Sequence, residues 1–184
     1  QFIAGFGYTR VYNLMGGWQG WLQFQTEAAS PRSAAPSPAL SAWLMERGFP
    51  ADSLHARIDN GMSPLMLAAL RGERALVEEL LASGANPNHV NDDEHHALWF
   101  ACVHGDPERV SLLIAHGANV DNQNVNGATC AIYAASTGKL DVLKRLVEGG
   151  ADLDRKTSGG YTALDSASTL PVLKYLRRVT AAAA

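Results

Sequence analysis

Four short segments of this chain overlay at a spacing of 33 residues, and that spacing constrains the fold more than any other feature. Ser63-Pro64-Leu65-Met66-Leu67-Ala68-Ala69 aligns with His96-Ala97-Leu98-Trp99-Phe100-Ala101-Cys102. Thr129-Cys130-Ala131-Ile132-Tyr133-Ala134-Ala135 and Thr162-Ala163-Leu164-Asp165-Ser166-Ala167-Ser168 continue the series. Gly72, Gly105 and Gly138 keep the same period, and so do Gly84, Gly117 and Gly150, each followed by Ala. Independent columns sharing one period mark a repeat architecture, in which one unit cannot bury its own apolar face and stacking supplies the core.

Each column has a physical task. Ser63 and Thr129 suit an N-cap, and Pro64 suits the first helical position, where its missing N–H costs nothing. The Ala-Ala pair keeps one helix face small, so a neighbouring helix can approach. Gly72, Gly105 and Gly138 suit a left-handed residue closing this first helix. In the helix that follows, Val77, Leu80 and Leu81 share a face, as do Val110, Leu113 and Ile114, and Leu143, Leu146 and Val147. Asn86-Pro87-Asn88, Asn119-Val120-Asp121 and Asp152-Leu153-Asp154 then lead into turns.

Composition narrows the function. Hydrophobic residues make up 47% of the 184 and charged residues 18%, enough for a core and too apolar for general disorder. No apolar run approaches the roughly 18 residues of a bilayer span. A net charge of −3 argues against a nucleic-acid surface. Two cysteines cannot form a disulfide scaffold, so a cytoplasmic setting is expected. The N-terminus lacks a basic flank followed by an apolar core, so no signal peptide is expected in it.

A helix–turn–helix unit of 33 residues with this punctuation resembles the ankyrin repeat, through its Thr-Pro-Leu-His-x-Ala-Ala and Leu-Leu-x-x-Gly-Ala motifs. The resemblance covers about residues 57–180. It implies an all-α solenoid of antiparallel helix pairs with short β-hairpin fingers projecting to one side, and a non-enzymatic module that binds a protein partner. The departures are specific. Met66, Trp99, Ile132 and Asp165 replace the family's His, so its hydrogen bonds along the stack are expected to be mostly absent. The finger glycine is present as Gly61, Gly127 and Gly160, but Glu94 stands in the second repeat. A non-Gly residue at positive φ is costly, so that finger is expected to be reshaped. The last repeat is about three residues short between its helices and reads, with Arg177-Arg178, as a polar cap.

The expected division is a remnant at 1–26, a Pro/Ala/Ser linker at 27–38, a repeat domain at 39–180 and a tail at 181–184. Within the domain, 39–56 is a partial N-terminal cap, with Leu40, Trp43 and Leu44 at helical spacing. Repeats follow at about 57–89, 90–122, 123–155 and 156–180. The run from Gly5-Phe6 through Gly16-Gly17 to Trp21 resembles the closing segment of a rhodanese-like sulfurtransferase domain. The loop bearing that family's nucleophilic Cys is absent from this chain, so the resemblance implies a catalytically dead remnant. Two alternatives to a binding module follow: the docking arm of a sulfurtransferase, or a spacer that self-associates weakly through its N-terminal segment.

Candidate chemistry is sparse. Cys102 reads as a small buried residue in an Ala column. Cys130 is expected near the opposite end of the adjacent helix, out of disulfide reach. Asp92, Asp93, Glu94, His95, His96 and His104 have metal-ligand chemistry, but His96 fills the capping column, where its ring can hold the helix start, and the rest fall on a solvated finger. His95 and His104 suit a pH-sensitive contact. No nucleophile elbow or phosphate loop is present, so no catalytic residue, metal or cofactor is assigned. Trp99, Phe100 and Tyr133 read as core.

The register of the repeat points instead to a groove. Its positions lie one, three and four residues before the capping column, and seven and eight after it. They are Asp59, Asn60, Met62, Leu70 and Arg71 in the first repeat, and Asp92, Asp93, His95, Val103 and His104 in the second. The third contributes Val125, Asn126, Ala128, Ser136 and Thr137, and the fourth Ser158, Gly159 and Tyr161. Apolar anchors ringed by polar groups are what a transient protein interface shows.

Overall fold

The structure is a computed structural model, and residues 36–183 are described. They belong to a compact unit spanning Ala34–Ala184. The described residues form eight helices: α1 (Pro38–Glu46), α2 (Pro64–Arg71), α3 (Arg74–Ala82), α4 (Ala97–His104), α5 (Pro107–Ala115), α6 (Cys130–Ser136), α7 (Leu140–Glu148) and α8 (Leu170–Ala183). They contain no strand; the only bridge pairs Ile58 with Met62.

Local chemistry starts and stops these helices. The Ser63 hydroxyl accepts from the Met66 N–H and the Thr129 hydroxyl from that of Ile132, both 3.3 Å. Asp106 caps α5 by accepting from the Glu108 N–H at 2.9 Å. Gly72 and Gly105 close α2 and α4 in the left-handed region, at φ 81° and 91°. His96 corrects one expectation. It stands at the N-cap of α4 but makes no capping bond. Its Nε2–H instead donates 2.8 Å to the Asn119 carbonyl, because the buried ring is long enough to cross to the next loop.

The helices pair within each repeat and stack between repeats. α2 packs on α3, α4 on α5 and α6 on α7; first helix meets first helix from α2 to α4 to α6, and α5 meets α7. Ala68, Ala69, Ala101, Cys102, Ala134 and Ala135 are fully buried, so the first helices approach on side chains no larger than Cys. Val77, Leu80, Val110, Leu113, Leu143 and Leu146 fill the second layer. Each such leucine contributes about 2 kcal/mol by leaving water.

Side-chain bonds knit the repeats where the family's His is missing. The buried Arg109 guanidinium donates back to the Gly72 carbonyl (2.9 Å) and that of Ala69 (3.5 Å), and pairs with Asp106 at 2.9 Å. Lys139 donates to the carbonyls of Cys102 and Val103. Ser168 donates from both its N–H and its hydroxyl to the Ala135 carbonyl. The stack therefore keeps a bond at each of these junctions, supplied from the following repeat rather than from the motif position.

The two ends differ from the middle. At the N-terminal end α1 buries Leu40, Trp43 and Leu44, and the Trp43 indole donates 2.7 Å to Glu73 ahead of α3. At the C-terminal end the first helix of the last repeat shrinks to a turn over Ala163–Ser166. Asp165 accepts from both the N–H and the hydroxyl of Thr162, closing the chain on itself. α8 then begins at Leu170, three residues ahead of the column set by Arg74, Pro107 and Leu140, matching the shortened loop. Val172 and Leu176 are buried, while Lys174, Arg177 and Arg178 face solvent.

The thiols also depart from expectation. Cys102 and Cys130 are both buried and free. They sit in contact, and the hydrogen bond between them, with burial, pushes the Cys130 thiol well above its ordinary range. A helical Cβ tilts toward the N-terminus, which carries the Cys102 sulfur back along α4 toward the start of α6.

Candidate protein-binding groove

Fingers join the repeats at one edge of the stack. Ile58, Asn91, Asn124 and Thr157 each donate an N–H to the carbonyl four residues on (Met62, His95, Ala128 and Tyr161) at 2.9 to 3.1 Å. A second series runs between fingers: Asp92 N–H to the Asn60 carbonyl (3.2 Å), Val125 to Asp93 (3.2 Å) and Ser158 to Asn126 (2.9 Å). These bonds repeat every 33 residues and hold adjacent tips side by side. The side chains of Asn91 and Asn124 brace their own fingers, each oxygen accepting from two backbone N–H groups.

The second finger is not reshaped. Glu94 takes φ 62° and its N–H bonds to the Asn91 carbonyl, as Gly127 bonds to Asn124 and Gly160 to Thr157. The ladder and the Asn122 amide, which donates to the Glu94 carbonyl at 2.8 Å, hold the residue in a conformation its side chain disfavours. Finger one is built differently. There both Asn60 (φ 59°) and Gly61 (φ 67°) are left-handed, the signature of a tight Asn-Gly turn.

Every groove position named from the register keeps some exposure. Asp59, Asn60, Arg71, Asp92, His104, Val125, Asn126, Ser136, Thr137, Ser158, Gly159 and Tyr161 are exposed, and Met62, Leu70, Asp93, His95, Val103 and Ala128 are half-buried. Some are already engaged. Asn60 donates 2.8 Å to Asp93, and the His104 Nδ1–H donates 3.2 Å to the Leu70 carbonyl.

His95 is not a free finger histidine. It stacks on Trp99 at 4.3 Å and meets the edge of Phe100 at 6.0 Å. The Asn124 amide nitrogen lies 3.0 Å from its Nε2. Two backbone donors fix the Asn124 oxygen on the other side, so the amide donates, Nε2 accepts and the ring proton sits on Nδ1. Burial holds this imidazole below its ordinary range, with Asp93 only partly opposing. Stacking on Trp99 and the contact with Asn124 fix the orientation of the His95 ring.

Sequence reasoning assigned Tyr133 to the core, yet its ring is half-buried, lies 5.0 Å from Trp99 and faces Lys139 at 5.5 Å. The signal was its spacing three residues before Ser136, which puts both on one helix face. Among the described residues no group of three or more His, Cys, Asp or Glu could hold a metal ion. None of their helices is long and apolar enough to cross a membrane.

The family model for ankyrin repeats matches the chain in three overlapping copies, over residues 34–124, 65–157 and 98–181. The chain belongs to the ankyrin-repeat family. No curated protein matches it. Ankyrin repeats generally mediate protein–protein interaction and are typically non-enzymatic. The rhodanese-like reading of residues 1–26 lies outside the described residues, and the matched segments begin at 34.

Proposed function

We propose that this ankyrin domain is a non-enzymatic binding module that takes a protein partner along its finger-and-first-helix groove. The observation that carries the reading is that every position of the register-defined strip keeps some exposure while the backbone beneath it is fixed by the finger ladder. A surface already rigid loses little entropy on association, so a modest patch can bind well. Val125 and Tyr161, 55% and 61% exposed, are the anchors of this strip least needed by the core. The proposal includes a cytosolic setting, supported by the low cysteine content.

The test is capture from a source lysate with the native chain and with Val125→Asp/Tyr161→Ala in parallel. A protein retained by the first and lost by the second, with unchanged circular dichroism melts, supports the reading. Equal retention overturns it.

A further inference from the structure

We propose that the fingertip ridge selects an extended segment of another protein that carries Lys or Arg side chains toward one end and a bulky apolar one toward the other. This rests on the groove reading and adds the chemistry of the occupant. Four large hydrophobic side chains are exposed among the described residues, and two of them, Val125 and Tyr161, lie on the third and fourth fingers. The ladder bond from Ser158 to Asn126 sets those two fingers side by side. Tyr161 folds over Gly159, within 3.1 Å of where a Cβ would stand there, so its ring is held on the ridge. This is the apolar end.

The first two fingers carry the charge. Asp59, Asp92 and Glu94 are exposed, and none makes an ion pair among the described residues. The second helices behave otherwise: Glu78, Glu108, Asp141 and Glu148 are each paired with Arg74, Arg145 or Lys144. Fingers one and two, residues 58–62 and 91–95, supply no Lys or Arg to offset the acids. The nearest cation, the exposed Arg57 at the foot of finger one, is turned to His89 Nε2 (3.0 Å) and the Val90 carbonyl (2.9 Å) rather than to an acid; Arg71 lies at the far end of α2, an eight-residue helix about 12 Å long. Two other occupants fit this charge poorly. Residues 1–35 offer only Arg10 and Arg32, and a second copy brings a net charge of −3.

The experiment pans the full chain against a displayed library of random peptides of roughly 12 residues, about 40 Å when extended. The expected winners join basic residues to an aromatic or large aliphatic one. Their affinity should fall about 10-fold or more on Asp59→Asn/Asp92→Asn/Glu94→Gln, and weaken from about 50 to about 500 mM salt. No enrichment, winners without excess basic residues, or winners indifferent to the triple variant would each overturn the proposal. So would light scattering that shows a salt-sensitive dimer, since a second copy would then occupy the ridge. Winners lost on Val125→Asp/Tyr161→Ala but kept by the triple variant leave the groove reading standing and remove the charge assignment. Winners kept by both remove both.

Discussion

Glu94 shows what a single residue can cost a repeat. Three of the four fingers place glycine at this column, and the second holds a glutamate in the same left-handed conformation. Replacing it should relieve about 1 kcal/mol. Glu94→Gly is therefore expected to raise the urea midpoint without changing its slope. Gly127→Ala should act in reverse and more strongly, because an added Cβ would stand 2.8 Å from the Ser158 nitrogen of the next finger as well as at φ 73°. A loss of about 2 kcal/mol in the same titration is the expected outcome. His96 contributes to acid behaviour, alongside His89 and His95, whose imidazoles burial also holds low. Burial holds the His96 imidazole below the ordinary 6.5, and its Nδ1 is buried without a partner. The unfolded chain then takes the proton first, so its contribution to stability is complete above about pH 6.5 and is lost as pH falls below that value toward the lower folded pKa. His96→Gln should flatten the dependence of the melting temperature on pH over that window; an unchanged slope would place the acid sensitivity elsewhere.

At the scale of elements, the junctions between helix pairs decide cohesion. Arg109 is 3% exposed and relies on Asp106 and two carbonyls. Asp106→Ala removes the counter-charge and the α5 cap together, with an expected cost of about 3 kcal/mol in chemical denaturation. Arg74→Ala breaks only the exposed pair with Glu78 and should cost under about 0.5 kcal/mol. The helices themselves were legible, because N-caps, Pro64 and the left-handed glycines act within a few residues and leave a local mark. The junctions were not. Arg109 reaches back 37 and 40 residues to Gly72 and Ala69, and no periodic column announces it. The same holds for His95, whose stacking on Trp99 and contact with Asn124 depend on two elements at once. Asp165 was visible as a departure, but its consequence, a turn in place of a helix, needed the hydrogen bonds to Thr162.

Across the whole unit, contacts run between neighbouring repeats, so stability is expected to be graded along the stack. The last repeat lacks a first helix, and among the described residues no helix packs beyond α8. Its amides should exchange with solvent before those of α4 and α6, which are flanked on both sides. Hydrogen exchange read by mass spectrometry would show this as early deuteration of 170–181; protection equal to that of α4 would contradict it. Leu176→Ala should deepen the gradient by about 3 kcal/mol at that end. The groove belongs to this scale too. Its positions could be named from the register, but which of them are spoken for, such as Asn60 and His104, depended on contacts the register does not encode.

The three reaching groups Arg109, Lys139 and Ser168 give each seam its own lock and key: a guanidinium, an ammonium and a hydroxyl with an amide. Identical cassettes could be shuffled freely, but these cannot. Exchanging the second unit for the third would leave a lysine facing a slot cut for arginine and an arginine facing one cut for serine, so the linear order of the modules is written into their joints.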